Sequence, residues 1–188
     1  MVFQPPQKIE DWTTAGEALA DLCAPFAARG KPLSCVEVQP ARMPAVARRL
    51  LAHREHMTIV LSEHCGRPLD VRVQKIVHSG NIYTRKILLV PQGVDRILEA
   101  GIMRVNFALL PPAVRKEIIE GRRPLGGILS SHAVLRWIEP LWFVRFAADN
   151  GLADLFEMEA DKPIYGRLAM IYCNGEPAVE LLETVVDV

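Results

Sequence analysis

The chain has 188 residues, which suits one domain and allows close to ~70% of the unfolded surface to be buried. Half of the residues are hydrophobic and 23% are charged, a composition that excludes an intrinsically disordered chain. The chain has 22 lysine and arginine residues and 22 aspartate and glutamate residues. The resulting net charge of zero gives no overall electrostatic attraction to nucleic acid or to an anionic membrane. We therefore expect a folded domain with a small-molecule partner, no nucleic-acid partner and no membrane span.

The four cysteines show no CxxC pair and no regular spacing, which argues against a structural zinc site and against a disulfide framework. The first residues, MVFQPPQKIEDW, lack the features of a secretion signal, and no apolar run reaches the ~18 residues that a membrane span needs. These features predict a cytoplasmic protein with reduced thiols.

The first quarter of the chain is predicted to be mostly helical. Thr14 and Glu17 form a capping box before one helix, which Pro25 is expected to kink. Pro44 suits the first turn of a second helix through AVARRLLAHR, and a third helix, MTIVLSEHC, is predicted to stop at Gly66. The stretch LSCVEV between them is typical of a short strand.

From Leu69 onward the pattern changes to strands. LDVRV alternates apolar and polar residues, and the turn residues HSGN separate it from IYTRKILLV, which predicts a hairpin. IMRVNFALL is another candidate strand, and the helix AVRKEIIE is expected to end at Gly121. AVLRWIEPLWFVRF reads as an extended segment interrupted at Pro140.

The last hairpin is the clearest element of the chain. GRLAMIYC and AVELLETVV flank the turn residues NGEP, with Asn174 and Gly175 in the turn. Neighbouring strands joined by tight turns predict an α+β fold with a mainly antiparallel sheet flanked by helices, because parallel strands would need helical crossovers. A βαβ nucleotide-binding fold is not expected.

Two charged residues on apolar strands are candidate site residues. Strand alternation places Glu183 and Glu180 on opposite faces, so one of these carboxylates faces the interior, where it would be paired, protonated or in a ligand pocket. Arg85 shares a strand face with Tyr83 and Ile87, and a buried guanidinium can bind a carboxylate with two hydrogen bonds. Structural alternatives remain open for both, namely an internal ion pair or a side chain that reaches solvent.

Other chemistry receives little support from the sequence. His53 and His56 could share a helix face, but no further ligand completes a metal set, so we expect solvated helix histidines and no metal site. PLGG lacks both the phosphate-binding glycine pattern and a P-loop lysine, and no serine or cysteine nucleophile motif is present. Arg122 and Arg123 are typical of a solvated helix end.

Four blocks in order, HMTIVLSEHCGRPLDVRV, YTRKILLV, PLGGIL and GEPAVELLETVV, resemble the chorismate lyase family. The resemblance covers the chain from Met57 to the C-terminus. It implies a single chorismate lyase-like domain over residues 1–188, with a helical part at 1–56 and a ligand-binding core at 57–188. It also implies a carbon–oxygen lyase that converts chorismate to 4-hydroxybenzoate and pyruvate without metal or other cofactor.

Carried over by motif, the resemblance implies four substrate-binding residues, Met57, Arg85, Leu125 and Glu183. Arg85 and backbone at Met57 and Leu125 would hold the ligand carboxylate, and Glu183 would address the ring hydroxyl, with Arg85 and Glu183 as the catalytic residues. In the family the glutamate follows the turn proline by five residues, whereas Glu183 follows Pro177 by six. The alternation of strand faces favours Glu183, because large apolar residues flank it on its own face. Glu180 stays an alternative.

A second function is consistent with the same resemblance. The fold also resembles the effector-binding domains of a group of bacterial transcription regulators, which bind small acids or sugars without catalysis. The 56 residues before Met57 are neither basic overall nor clearly a helix-turn-helix. A stand-alone binder of aromatic acids and a lyase for a related enolpyruvyl acid therefore remain alternatives.

Overall fold

The fold is built on one seven-stranded antiparallel sheet, seen in a computed structural model that describes residues 12–26, 33–148, 151–159 and 161–186. The strand order is β1-β5-β6-β7-β4-β3-β2, and every neighbouring pair is antiparallel. The strands are β1 (Val36–Glu37), β2 (Leu69–Ser79), β3 (Ile82–Pro91), β4 (Glu99–Asn106), β5 (Arg136–Phe146), β6 (Ile164–Cys173) and β7 (Glu176–Val185).

Helices cover both faces of this sheet, which confirms the predicted α+β class. Within the described ranges none of them is long and apolar enough to cross a membrane. The helices are α1 (Ala15–Cys23), α2 (Ala45–Leu51), α3 (Met57–Cys65), α4 (Pro112–Glu120), α5 (Leu125–Ser131) and α6 (Leu152–Phe156).

Local sequence signals account for most element ends. Thr14 caps α1 by accepting a hydrogen bond from the backbone of Glu17 at 3.2 Å. Gly66 and Gly121 end α3 and α4 in the left-handed conformation, with φ of 66° and 68°, which glycine adopts at little cost. Asn174 and Gly175 form the turn between β6 and β7, as predicted, both with positive φ.

Several predicted elements differ in extent from those observed. The segment AVARRLLAHR is helical only to Leu51, and LSCVEV contributes only the two residues of β1. Pro140 does not interrupt β5, because a bulge between Pro140 and Trp142 accommodates a residue without a backbone donor. The short helix α6 was not predicted. That residues 1–188 form one domain, divided at residue 56, stays a prediction.

The two faces of the sheet carry different cores. On one face, α1 and α6 pack on the strands around an apolar cluster that includes Leu88, Ile102 and Leu182. On the other face, which we call the site face, α2 to α5 cover two further clusters. One contains Met103, Leu181 and Leu125, and the other contains Met57 and Leu89. Their separation leaves room for a cavity in the middle of the site face.

Candidate functional site

A cavity lies between the site face and the first turns of α3 and α5. Its empty volume is about 490 Å³ when the open mouth is included. All four predicted site residues line it: Met57, Arg85, Leu125 and Glu183. That these residues bind a ligand remains a prediction, but the sequence correctly places them together.

A glycine opens the floor of this cavity. Gly101 of β4 pairs with Ile87 on one side and with Glu183 on the other, so the three share the site face. A Cβ atom on Gly101 would lie 2.9 Å from Oε1 of Glu99 and 3.1 Å from the carbonyl oxygen of Leu182. Gly101 therefore leaves the space into which the Glu99 carboxyl group leans.

Arg85 is a buried cation without a countercharge in the described chain. The residue is 1% exposed, and its Nε and Nη1 atoms have no hydrogen-bond partner there. Burial lowers the pKa of this guanidinium, while Tyr83 acts in the opposite sense. No carboxylate of the described ranges pairs with it, and its low exposure excludes a side chain that reaches solvent. The cavity thus has an unsatisfied positive group at its wall.

Glu183 also faces the cavity, but it is already paired. Its Oε2 atom accepts a hydrogen bond from Nε of Arg167 at 2.6 Å, and Arg167 is fully buried. The two residues are direct cross-strand neighbours on β7 and β6. The remaining guanidinium nitrogens donate to the backbone carbonyls of Leu51, His53 and Glu55 at 3.1, 2.8 and 3.2 Å. Arg167, which the sequence did not single out, therefore joins Glu183 to the segment that leads into α3.

Glu180 is directed to the opposite face, as strand alternation requires. It forms an ion pair with Arg104, its cross-strand neighbour on β4. Arg104 in turn pairs with Asp21 of α1 at 2.8 Å. Of the two alternatives, Glu183 is therefore the carboxylate in the cavity, and Glu180 holds α1 to the sheet.

Glu99 is a second carboxyl group in the cavity, which sequence reasoning missed. It is 3% exposed, and its Oε2 atom has no hydrogen-bond partner among the described residues. Burial, followed by repulsion from Glu183, raises its pKa well above the usual range, although Arg167 acts in the opposite sense. Burial therefore favours the neutral form of this carboxyl group. The rule applied to Glu183, that a carboxylate on an apolar strand is a candidate site residue, would also have found Glu99, because Glu99 lies in the apolar run of β4.

His56 and Gly126 form the side of the cavity where α3 and α5 meet. His56 is the N-cap residue of α3 and is 7% exposed, so the expectation of a solvated helix histidine is wrong here. Its Nε2 atom accepts a hydrogen bond from Nε of Arg136 at 2.7 Å. Burial and the charge of Arg136 lower its pKa. No cluster of three or more histidine, cysteine, aspartate or glutamate residues suited to a metal ion occurs in the described ranges.

The two arginines before α5 lie at the surface. Arg122 pairs with Glu120 at 2.7 Å, and Arg123 pairs with Glu117 at 2.8 Å. Exposed pairs of this kind contribute little to stability, because solvent and salt screen them. Both arginines are directed away from the cavity, as the sequence indicates.

Gly126→Ala is expected to destabilise the protein by about 1–3 kcal/mol. The new Cβ would lie 2.5 Å from Cγ of His56, whose ring is held by Arg136, so α5 or the ring must move. Gly127→Ala is the matched control, because its Cβ would approach only Nη2 of Arg123, at 3.7 Å, and alanine favours the helix by about 1 kcal/mol. Urea denaturation measures both, and equal midpoints for the two variants would contradict the tight contact.

Glu99→Gln is expected to change how stability depends on pH. Below the ordinary carboxyl value near 4.5, the wild-type side chain is protonated in both the folded and the unfolded state. Above it the unfolded state ionises first, so wild-type stability falls relative to the variant by up to about 1.4 kcal/mol per pH unit until the folded carboxyl titrates. Denaturation of both proteins between pH 4 and 8 measures the difference, and a constant difference would show that Glu99 is ionised in the fold.

The fold was compared with known proteins. No known protein-family profile matches the chain, and no curated protein matches its sequence. PhnF from Mycobacterium smegmatis has a similar structure, with a TM-score of 0.50 at 13% identity over 74% of this chain and 67% of PhnF. The effector domain of that protein gives 0.47 at 15% identity over 69% and 86%. A GntR-family transcriptional regulator from Bacillus cereus gives 0.43 at 7% identity over 63% and 92%.

At these identities the likeness shows the fold alone, and it corrects one prediction. The chain has the fold of the effector-binding domains of GntR-family regulators, as the resemblance to such domains implies. The prediction of a carbon–oxygen lyase is wrong, because the solved structures reported above are proteins or domains of transcriptional regulators. The chorismate lyase-like character is thus confirmed for the architecture and not for the chemistry.

Proposed function

We propose that this chain is a non-catalytic domain that binds a small aromatic carboxylic acid as an effector. The observation that carries this proposal is the Arg85 guanidinium, buried at the cavity wall with two nitrogens unpaired. A buried charge without a partner costs several kcal/mol, so a site of this kind is stable chiefly when an anion occupies it. A planar carboxylate matches the guanidinium with two parallel hydrogen bonds.

The remaining walls favour a ring. Apolar side chains from the sheet and from both covering helices line the cavity, among them Met57, Ile87, Leu89, Leu125 and Leu181. Burial of apolar surface contributes about 25 cal/mol per Å², and a flat ring loses little conformational entropy on binding. An acid with an aromatic or similarly flat body therefore fits the cavity better than a flexible polar metabolite.

The pairing of Glu183 supports binding without chemistry. The lyase hypothesis assigns acid–base work to this carboxylate, but it is already paired with the buried Arg167. Arg167 is itself fixed by three backbone carbonyls, so transfer of a proton to Glu183 would leave the buried charge of Arg167 without its carboxylate partner. Glu183 thus serves better as a fixed structural charge than as an acid or base.

Both covering helices begin at the cavity, which gives an effector a means to act. Met57 is the first residue of α3 and Leu125 the first residue of α5. A ligand that contacts both would hold the two helix ends in one arrangement relative to the sheet. Ligand-dependent positioning of helices is a usual mode of effector response.

Isothermal titration with benzoate and 4-hydroxybenzoate tests the proposal. Arg85→Met keeps the apolar stem and removes the charge, so we expect binding to weaken by roughly 10- to 150-fold, as for loss of a hydrogen bond to a charged group. The ligand-free variant should be at least as stable as the wild type, because it loses an unpaired buried charge. Arg123→Met, which changes an exposed arginine, should bind as the wild type does.

The ligand recovered after incubation should be chemically unchanged. Equal affinity in wild type and Arg85→Met would contradict the assignment of the anion site. Failure of the wild type to bind either acid would contradict the proposed ligand class.

A further inference from the structure

We propose that Glu99 selects the ligand: as a neutral carboxylic acid it donates a hydrogen bond to an uncharged oxygen of the bound acid, at the end remote from Arg85. The inference rests on the proposed binding function and adds a specificity residue and a narrower ligand class. That class is a monoanion with a hydroxyl or carbonyl oxygen across the ring from its carboxylate.

The position of Glu99 is the first support. The residue lines the cavity and is almost fully buried, yet its Oε2 atom has no partner among the described residues. Its cross-strand neighbours on the site face are Leu89 and Val185, which offer no polar side-chain group. The carboxyl group leans over Gly101, where only a glycine leaves room for it. An unpaired polar atom in such a place is costly, and a ligand can satisfy it.

The neighbouring charges decide which carboxyl group carries a proton. Arg167 hydrogen-bonds Glu183 and stabilises its ionised form, whereas no cation of the described chain contacts Glu99. Two carboxylates close together in a dry site do not both ionise, so the proton resides on Glu99. The raised pKa of Glu99 agrees with this assignment. The Oε2 atom of Glu99 has no hydrogen-bond partner among the described residues, which leaves it available to a ligand.

The spacing from Arg85 fits a substituted ring. Gly101, over which Glu99 leans, pairs with Ile87, and Arg85 lies two residues earlier on the same face of β3. Two residues of a strand span roughly 7 Å. A carboxylate bound at Arg85 thus directs the opposite side of a six-membered ring toward Glu99.

The charges in and around the cavity limit the ligand to one negative charge. Of the charged residues that line the cavity, Glu183 is already paired with Arg167, so one ligand carboxylate neutralises the unpaired charge of Arg85. His56 has a lowered pKa and adds no charge. A second ligand carboxylate near Glu99 would lie close to the charge of Glu183 and would lack a cation. Dicarboxylates are therefore expected to bind more weakly than monocarboxylates of the same shape.

Three probes and two variants test the selection. Wild type and Glu99→Gln, which keeps a neutral donor of the same shape, should both bind 4-hydroxybenzoate roughly tenfold more tightly than benzoate, as for one buried hydrogen bond. Glu99→Leu should bind the two acids with equal affinity, because leucine offers no hydrogen-bond donor to the ring hydroxyl. Terephthalate, a dicarboxylate of similar shape, should bind the wild type more weakly than benzoate.

A ligand-free measurement separates this inference from the proposed function. Infrared spectroscopy at neutral pH should show the C=O stretch of a protonated carboxylic acid in the wild type and not in Glu99→Gln. Absence of that band, or a preference for 4-hydroxybenzoate that persists in Glu99→Leu, would overturn the role of Glu99 even if both acids bind. A band without binding of any probe would overturn the proposed function, and the ligand selection with it.

Discussion

The ion pair between Arg167 and Glu183 is the interaction on which the site depends. It lies in the middle of the sheet, between two directly paired strands. Because Arg167 also binds three carbonyls of the segment before α3, it fixes the covering helix relative to the strands. It also pairs with Glu183, which together with burial raises the pKa of Glu99. One buried guanidinium thus sets both the shape and the electrostatics of the cavity.

Three arginines are almost fully buried in this sheet, and their surroundings differ. Arg104 pairs with Glu180 and Asp21, and Arg167 pairs with Glu183. Arg85 alone among the three has no carboxylate partner in the described part of the chain. The fold accounts for the two paired arginines, because each is satisfied by its carboxylate partner. The unpaired Arg85 is the residue for which we propose a ligand.

Sequence reasoning predicted the architecture well, because hydrophobic alternation and turn residues determine hairpins locally. The hairpin around Asn174 and Gly175 and the helix end at Gly66 follow from such signals. The site residues came from a family resemblance, and the structure gathers them in one cavity. Arg167 was missed because its role depends on cross-strand neighbours, and strand register is not visible in a single strand. Glu99 was missed because the predicted strand begins at Ile102, whereas β4 begins at Glu99. The lyase prediction failed because the resemblance of the four blocks carried the fold and not the chemistry.

Under the proposed function, the lone charge of Arg85 also couples ligand supply to the amount of folded protein. A site that is costly when empty and satisfied when filled makes the folded state more stable as ligand concentration rises, by about 2.7 kcal/mol at one hundred times Kd. In a cell, shifts of 1–2 kcal/mol change the abundance of a marginally stable protein several-fold. A domain of this design can report the concentration of its ligand through its own lifetime, independently of any movement of its helices.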